Sequence, residues 1–139
     1  MNCSLCFSVR HYRLEFAHPF GIAHGTRNYT DTLYVRASFM DTHGYGEAAL
    51  PPYLGYDATQ LAADFDRFFP AAMEGSEAIR LVMQKLSKTD EPIPLPLRTA
   101  VDIALHDLFG KLTGRTVRSI FGITDTVEAL CSYTLGFST

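Results

Sequence analysis

Cysteine, histidine and arginine side chains set what chemistry this chain can offer. Cys3-Ser-Leu-Cys6 has the spacing of a zinc or redox pair. A structural zinc site needs two further ligands, and on an extended strand residues three apart point to opposite faces, so the pair reads as two small strand residues. Of the five histidines (His11, His18, His24, His43 and His106), His106 follows Asp102 by one helical turn. Such a pair can share a metal or bond along a helix surface at the edge of a core; the second reading is the simpler. His43 falls in a turn and reads as solvated. No Ser, His and Asp pattern resembles a nucleophile elbow, and Gly44-Tyr-Gly46 does not lead a strand into a helix as a phosphate loop does. Two loops hold more promise. Residues 18–31, HPFGIAHGTRNYTD, carry Phe20, His24 and Arg27 around Gly21 and Gly25, and residues 51–56, PPYLGY, carry Tyr53. Arginine's planar fork suits a carboxylate, and glycine lets the backbone come close to a ligand. From spacing alone, such a loop either reads a ligand or is ordinary surface.

The elements that must position these loops follow from hydrophobic period. Cys3, Leu5, Phe7 and Val9 alternate on odd positions, and Tyr12, Leu14 and Phe16 on even ones. The change of parity predicts a bulge or bend near His11 between two short strands. Leu33, Val35, Ala37 and Phe39 occupy one face of the next strand, opposite Tyr34, Arg36 and Ser38. Asp41-Thr-His-Gly44 reads as a turn into a third strand from Tyr45 to Ala49, which makes the sheet antiparallel. One apolar face needs a cover, and the second half supplies it as helices. Asp57-Ala-Thr-Gln60 resembles a capping box ahead of Leu61, Phe65, Phe68 and Phe69, with Pro70 beyond. Ser76 is placed to cap a helix bearing Ile79, Val82, Met83 and Leu86. A proline-rich link, residues 91–96, leads to the strongest helix, with Leu97, Val101, Ala104, Leu105, Leu108 and Leu112 in one stripe and Gly114 as its stop. Val117 to Phe121 is a short last helix ended by Gly122. The fold class is α+β, a three-stranded antiparallel sheet followed by three or four helices.

The chain has 139 residues, 47% hydrophobic and 19% charged, with a net charge of −3. This is the profile of a globular unit long enough to bury a core without a staple. Its basic residues are scattered, which argues against nucleic-acid binding. No apolar run approaches the ~20 residues of a membrane span, and no secretory signal pattern opens the chain. Three cysteines, an odd number, fit a reduced, cytoplasmic protein. Residues 129–135 read as a strand with no partner after it, so the chain is expected to be cut from something longer.

Four segments in order carry a resemblance. Leu14 to Arg27 (LEFAHPFGIAHGTR) resembles the first strand and mobile loop of the capping domain of the enolase superfamily. It is most similar to the muconate-lactonizing subgroup and, within it, to the dipeptide epimerases. Gly44-Tyr-Gly-Glu-Ala48 with Leu50 to Gly55, then Ala100 to Lys111 with Leu112-Thr-Gly114 and Ile120-Phe-Gly122, match the same domain. Ser132 to Gly136 resembles the first strand of that family's (β/α) barrel, which implies a capping domain over residues 1–125 and a truncated barrel strand over 126–139.

The resemblance implies the function of a parent protein. That parent would be a cytoplasmic isomerase that moves a proton at the α carbon of a dipeptide, with lysine bases and Mg²⁺ on the barrel. Active sites of such barrels lie at the C-terminal ends of the strands, so residues 1–139 are expected to be inactive alone, with no catalytic or metal-binding residue of their own. The capping domain would close over the mouth and read the substrate. Carried onto this sequence, residues 18–31 and 50–56 are the two specificity loops. Phe20 and Tyr53 wall the pocket, His24 and Arg27 meet the substrate or order the loop, and Thr134 touches it from below. Many dipeptide epimerases have an arginine where this chain has His24, which weakens the case for an acidic substrate side chain. The implied partners are a small-molecule dipeptide and further copies in a homo-oligomer, with neither nucleic acid nor membrane. Another muconate-subgroup enzyme (a cycloisomerase, o-succinylbenzoate synthase or N-acylamino acid racemase) is the rival reading. A free-standing binding module, with residues 129–139 docked on the domain, is the reading from another class.

Overall fold

The computed structural model describes residues 4–22, 25–75, 77–88, 90, 92–124, 128 and 130–133. Strands β1 (Ser4–Ile22), β2 (Gly25–Phe39) and β3 (Thr42–Leu50) form an antiparallel meander. Helices α1 (Ala58–Ala63) and α2 (Phe65–Phe68) follow, then a short strand β4 (Ala72–Glu74) and helices α3 (Ala78–Ser87), α4 (Leu95–Thr113) and α5 (Val117–Ile120). The sheet order is β3-β2-β1-β4. Among the described residues, no helix is long and apolar enough to cross a membrane.

The α+β expectation holds, with four corrections. The sheet has a fourth strand, because Ala72–Glu74 pairs with Ser4–Cys6 at the far edge; three residues are too few to show a period. Pairing of β1 with β2 runs unbroken from Leu5↔Phe39 to Glu15↔Tyr29, so there is no bulge near His11. The register shift comes between Glu15 and Phe20. The change of parity at Tyr12 arises because Tyr12 and Leu14 point to the open outer face. The β2–β3 turn is Met40-Asp41, with Met40 at φ 52° as a tight hairpin turn requires. Gly44 lies inside β3. Finally, the helix read from Leu61 to Phe69 breaks at Asp64 into α1 and α2. The Asp57 carboxylate accepts from Gln60 N at 2.7 Å. The Gln60 side chain turns forward to Asp64 (2.9 Å), so only half of a capping box forms. The proposed cap Ser76 lies outside the described residues.

The inner face of the sheet (Leu5, Phe7, Leu33, Val35, Ala37, Ala48 and Leu50) is buried against Leu61, Phe65 and Phe69 and the stripe Leu97, Ala100, Val101, Ala104, Leu105 and Leu108. Each large side chain buried in this way contributes about 1.5–3 kcal/mol. Leu112, read as part of that stripe, is exposed. Gly44 already lies against Leu108, and the strand has only two residues beyond it.

Helix α4 sits on β3 with almost no side chain between them. A Cβ on Gly46 would strike the carbonyl oxygen of Ala100 and come within 2.8 Å of Ala104 N; one on Gly44 would strike Ala104 O and Leu108 N. The next turn of α4 closes the free edge of β3. The amide of Tyr45 donates to Asp107 Oδ2 (2.9 Å), and Lys111 Nζ donates to His43 O (2.9 Å) and to Asp107 (2.7 Å). Partial burial pushes the Asp107 carboxyl up, but the hydrogen bonds from Lys111 and Tyr45 outweigh it and leave the group below its ordinary range. Arg98, from the first turn of α4, donates to Lys88 O (2.7 Å) and so ties down the end of α3.

Gly46→Ala is therefore expected to lower the unfolding free energy by about 1–3 kcal/mol or more through overpacking, read as a fall in the urea midpoint. Ala49→Ser, on the exposed face of the same strand, is expected to stay within about 0.5 kcal/mol.

Candidate functional site

The expected loop at 18–31 is mostly sheet. After the register shift, Phe20 pairs with Arg27, Gly21 with Thr26 and Ile22 with Gly25. Gly25 lies at φ 135°, which L side chains rarely adopt. Pairing of β1 with β2 thus continues beyond Asp31↔Leu50, where β3 ends. Four residues of β1 (Phe16 to Pro19) face one of β2 (Asn28), and that inequality re-aims the tip.

On the tip, Phe16 and Phe20 meet edge to face with ring centroids 6.4 Å apart. The guanidinium of Arg27 lies 5.9 Å from the Phe16 ring and 5.7 Å from Phe20. Phe20 remains 40% exposed. Among the described residues, Arg27 has no ion pair. Its charge is half-buried against two rings.

The base of the hairpin is braced by charge. Asp31 Oδ1 lies 2.8 Å from His11 Nε2 and 3.3 Å from Arg13 Nε. Arg13 also lies 4.1 Å over the Tyr29 ring. The hydrogen bond from His11, then that from Arg13, hold the Asp31 carboxyl below the ordinary carboxylate range. This cluster escaped the sequence reading. Its signal, His11 and Arg13 opposite Asp31, appears only once the register is known.

The second segment arrives beside the first through pairing. Leu50, the last residue of β3, is the register partner of Asp31, and the chain then turns through a single 3₁₀ turn, Pro52–Leu54. A concavity of about 430 Å³ is lined by Thr26, Arg27, Asp31, Leu50, Pro52 and Tyr56. Tyr56 also borders a second one, about 470 Å³, with Tyr53, Leu54, Leu95 and Pro96. Tyr53 is 80% exposed at its rim. The structure thus brings Arg27 and Phe20 together at the hairpin tip, with Tyr53 in the neighbouring groove. Tyr56, which sequence reasoning passed over, joins the two. His24 and Thr134 lie outside the described residues. Of the strand read at 129–135, residues 130–133 are described and carry no strand pairing.

The remaining candidates have structural partners. His106 Nδ1 lies 2.9 Å from the Asp102 carbonyl oxygen, and the ring stacks on Phe121 at 5.2 Å. His43 bonds Ser38 Oγ at 3.0 Å. Cys6 is exposed, and Cys3 lies outside the described residues. Among the described residues, no three His, Cys, Asp or Glu side chains converge as metal ligands.

Asp31 stabilises the fold as its carboxylate, because its folded pKa is lowered. That contribution is full above the ordinary value of 3.8 and is lost as pH falls through the folded value. The difference in urea midpoint between wild type and Asp31→Asn is expected to be constant near neutrality and to narrow below about pH 4. A gap that does not change with pH would show that the brace is not electrostatic.

No protein-family model matches the chain. It is 32% identical over 134 residues to an L-Ala-D/L-Glu epimerase of Bacteroides thetaiotaomicron, covering 92% of this chain and 33% of that protein. It spans about a third of the length of the curated relatives it matches. An enolase family member from Agrobacterium tumefaciens with homology to dipeptide epimerases, solved with sodium and L-Ala-L-Glu, superposes with a TM-score of 0.67 at 27% identity, over 86% of this chain and 34% of its own. The dipeptide epimerase of Methylococcus capsulatus, complexed with Mg and L-Arg-D-Lys, gives 0.68 at 25% identity, over 88% and 35%. In sequence and in fold, the chain matches the N-terminal capping domains of enolase-superfamily proteins, and among them those of dipeptide epimerases.

Proposed function

We propose that the chain is the substrate-specificity lid of a dipeptide epimerase, an isomerase that exchanges the proton at one α carbon of a dipeptide. One observation carries this reading. The Asp31↔Leu50 pairing sets the Arg27 hairpin and the Tyr53–Tyr56 segment at the same end of the sheet, in a chain whose relatives are epimerases. Among the described residues, no three His, Cys, Asp or Glu side chains converge as ligands for a divalent cation. Mg²⁺ and the proton-moving groups are assigned to the part of the parent that this chain does not cover.

What these residues do is bind, orient and exclude water. Arg27 offers a fixed cation backed by Phe16 and Phe20, suited to a carboxylate of the substrate. Phe20, Tyr53 and Tyr56 supply apolar walls that remove water from the closed site. We assign substrate contact to His24 and Thr134 as well. The parent works in the cytoplasm as a homo-oligomer.

The test is α-proton exchange in D₂O by the full-length protein across a dipeptide library. Exchange of dipeptides is expected, and activity on muconate with none on dipeptides would transfer the lid to a cycloisomerase. Arg27→Ala is expected to cost about 10- to 100-fold in kcat/KM on the preferred dipeptide, the range of one lost charge-assisted hydrogen bond, with partial recovery in Arg27→Lys. Residues 1–139 alone are expected to catalyse no exchange, and measurable turnover by them would overturn the division of labour.

A further inference from the structure

One carboxylate stands where the sheet narrows from three strands to two. Asp31 is the register partner of Leu50, the last residue of β3, and of Arg13 on β1. Glu15↔Tyr29 is then the last pair before the register shift, so the tip that carries Arg27 hangs from the pairs at Asp31. The Asp31 oxygens are divided between two side chains of β1. Oδ1 lies 2.8 Å from His11 Nε2 and 3.3 Å from Arg13 Nε, and Oδ2 lies 3.4 Å from Arg13 Nη2. Asp31 also lines the concavity of about 430 Å³ with Arg27 and Tyr56. The two partners differ in kind. Arg13 is a cation at every working pH and sits over the Tyr29 ring. Histidine changes charge between about pH 5 and 8, and the His11 side chain is 30% exposed, so protons reach it.

We propose that Asp31 and His11 are positioning residues for substrate recognition: their ion pair holds the hairpin in its substrate-reading pose, and loss of the His11 proton loosens it. Both roles rest on the hairpin being the substrate lid. A neutral His11 can still donate from Nε2, but a charge-assisted hydrogen bond is roughly twice as strong as a neutral one. The bond is diagonal. It runs from His11 to a residue two positions from its own register partner, Leu33, and so ties successive pairs together where β3 ceases to. Asp31 stays ionised through the histidine range, because His11 and Arg13 hold its carboxyl below the ordinary range. The other groups around the pair do not replace the lost charge. On β1 and β2 they are Glu15, an anion, and Tyr29. The second segment brings Tyr56. Helix α1 carries no titratable side chain, and its cap Asp57 accepts from Gln60 N. On α4, Arg98 bonds Lys88 O, while Asp102 and Asp107 pair with His106 and Lys111. The latch is therefore full where His11 is charged and weakens as pH rises through about 5–8.

The test is α-proton exchange by the full-length protein on its preferred dipeptide, with kcat and KM read separately across about pH 5.5–8.5. Wild-type KM is expected to rise about 3- to 10-fold toward high pH. His11→Gln donates without charge and is expected to show the high-pH KM throughout. His11→Lys is charged throughout and is expected to show the low-pH KM. The kcat profile is expected to be the same in all three, because the proton-moving groups are assigned to the rest of the parent. Amide hydrogen exchange of the peptide spanning residues 20–27 reads the latch without substrate. Its protection, corrected for intrinsic rate, is expected to fall with rising pH in wild type and to show no such step in either variant. A KM step that survives in His11→Gln, or a tip whose protection has no step in wild type, would overturn the proposal. A protection step that follows His11 beside a flat KM would overturn it too, but through the lid reading, since the hairpin would then be latched without serving the substrate.

Discussion

At two successive inward positions of β3, hydrogen is the only side chain that fits. Gly44 and Gly46 let the backbone of α4 rest on the strand, with Ala100 and Ala104 as the facing residues. The rest of the domain depends on that contact. It sets the height and direction of α4, whose Leu97, Val101, Leu105 and Leu108 then fill the core. It brings Asp107 and Lys111 within hydrogen-bonding reach of the edge of β3, where an unpaired strand edge would otherwise recruit another chain. The helix and the edge are held by one another, so pairing and packing are coupled rather than additive.

The same contact leaves the opposite end of the meander free to work. Among the described residues, β1 and β2 alone stay paired beyond Asp31↔Leu50, as a two-stranded ribbon, and such a ribbon is marginal unless something braces it. Here the brace is electrostatic at the base, where His11 and Arg13 share Asp31, and aromatic at the tip, where Phe16 and Phe20 carry Arg27. The arrangement half-buries the cation against two aromatic rings, whose faces offset part of the desolvation cost of its charge. Tyr56 lines both concavities, so the two segments share one ring.

Much of this was legible in the residues themselves. Alternation over Leu33 to Phe39 and the stripe from Leu97 to Leu108 mark the inner face and its helix, because burial on one side imposes periods of two and 3.6. The stop at Gly114 and the cap at Asp57 were equally readable, being local events of a few residues. The four-segment resemblance named the domain, and its relatives agree. Local patterns misled where a residue served a distant partner. Gly44 looks like a turn residue because glycine favours turns, yet it sits in a strand as a seat for a helix some sixty residues away in sequence.

By its order of polar and apolar residues alone, the sequence determined the α+β class, the antiparallel meander, the main helix and the two segments that carry aromatic and cationic side chains. Tertiary structure alone decided where the register shifts, that β4 closes the far edge, that Asp31 falls between His11 and Arg13, and that Leu50 delivers the second segment beside the first. The reason is physical. Periodicity records which side of an element is buried, whereas register and edge pairing are set by contacts between residues far apart in the chain, and no local pattern encodes those.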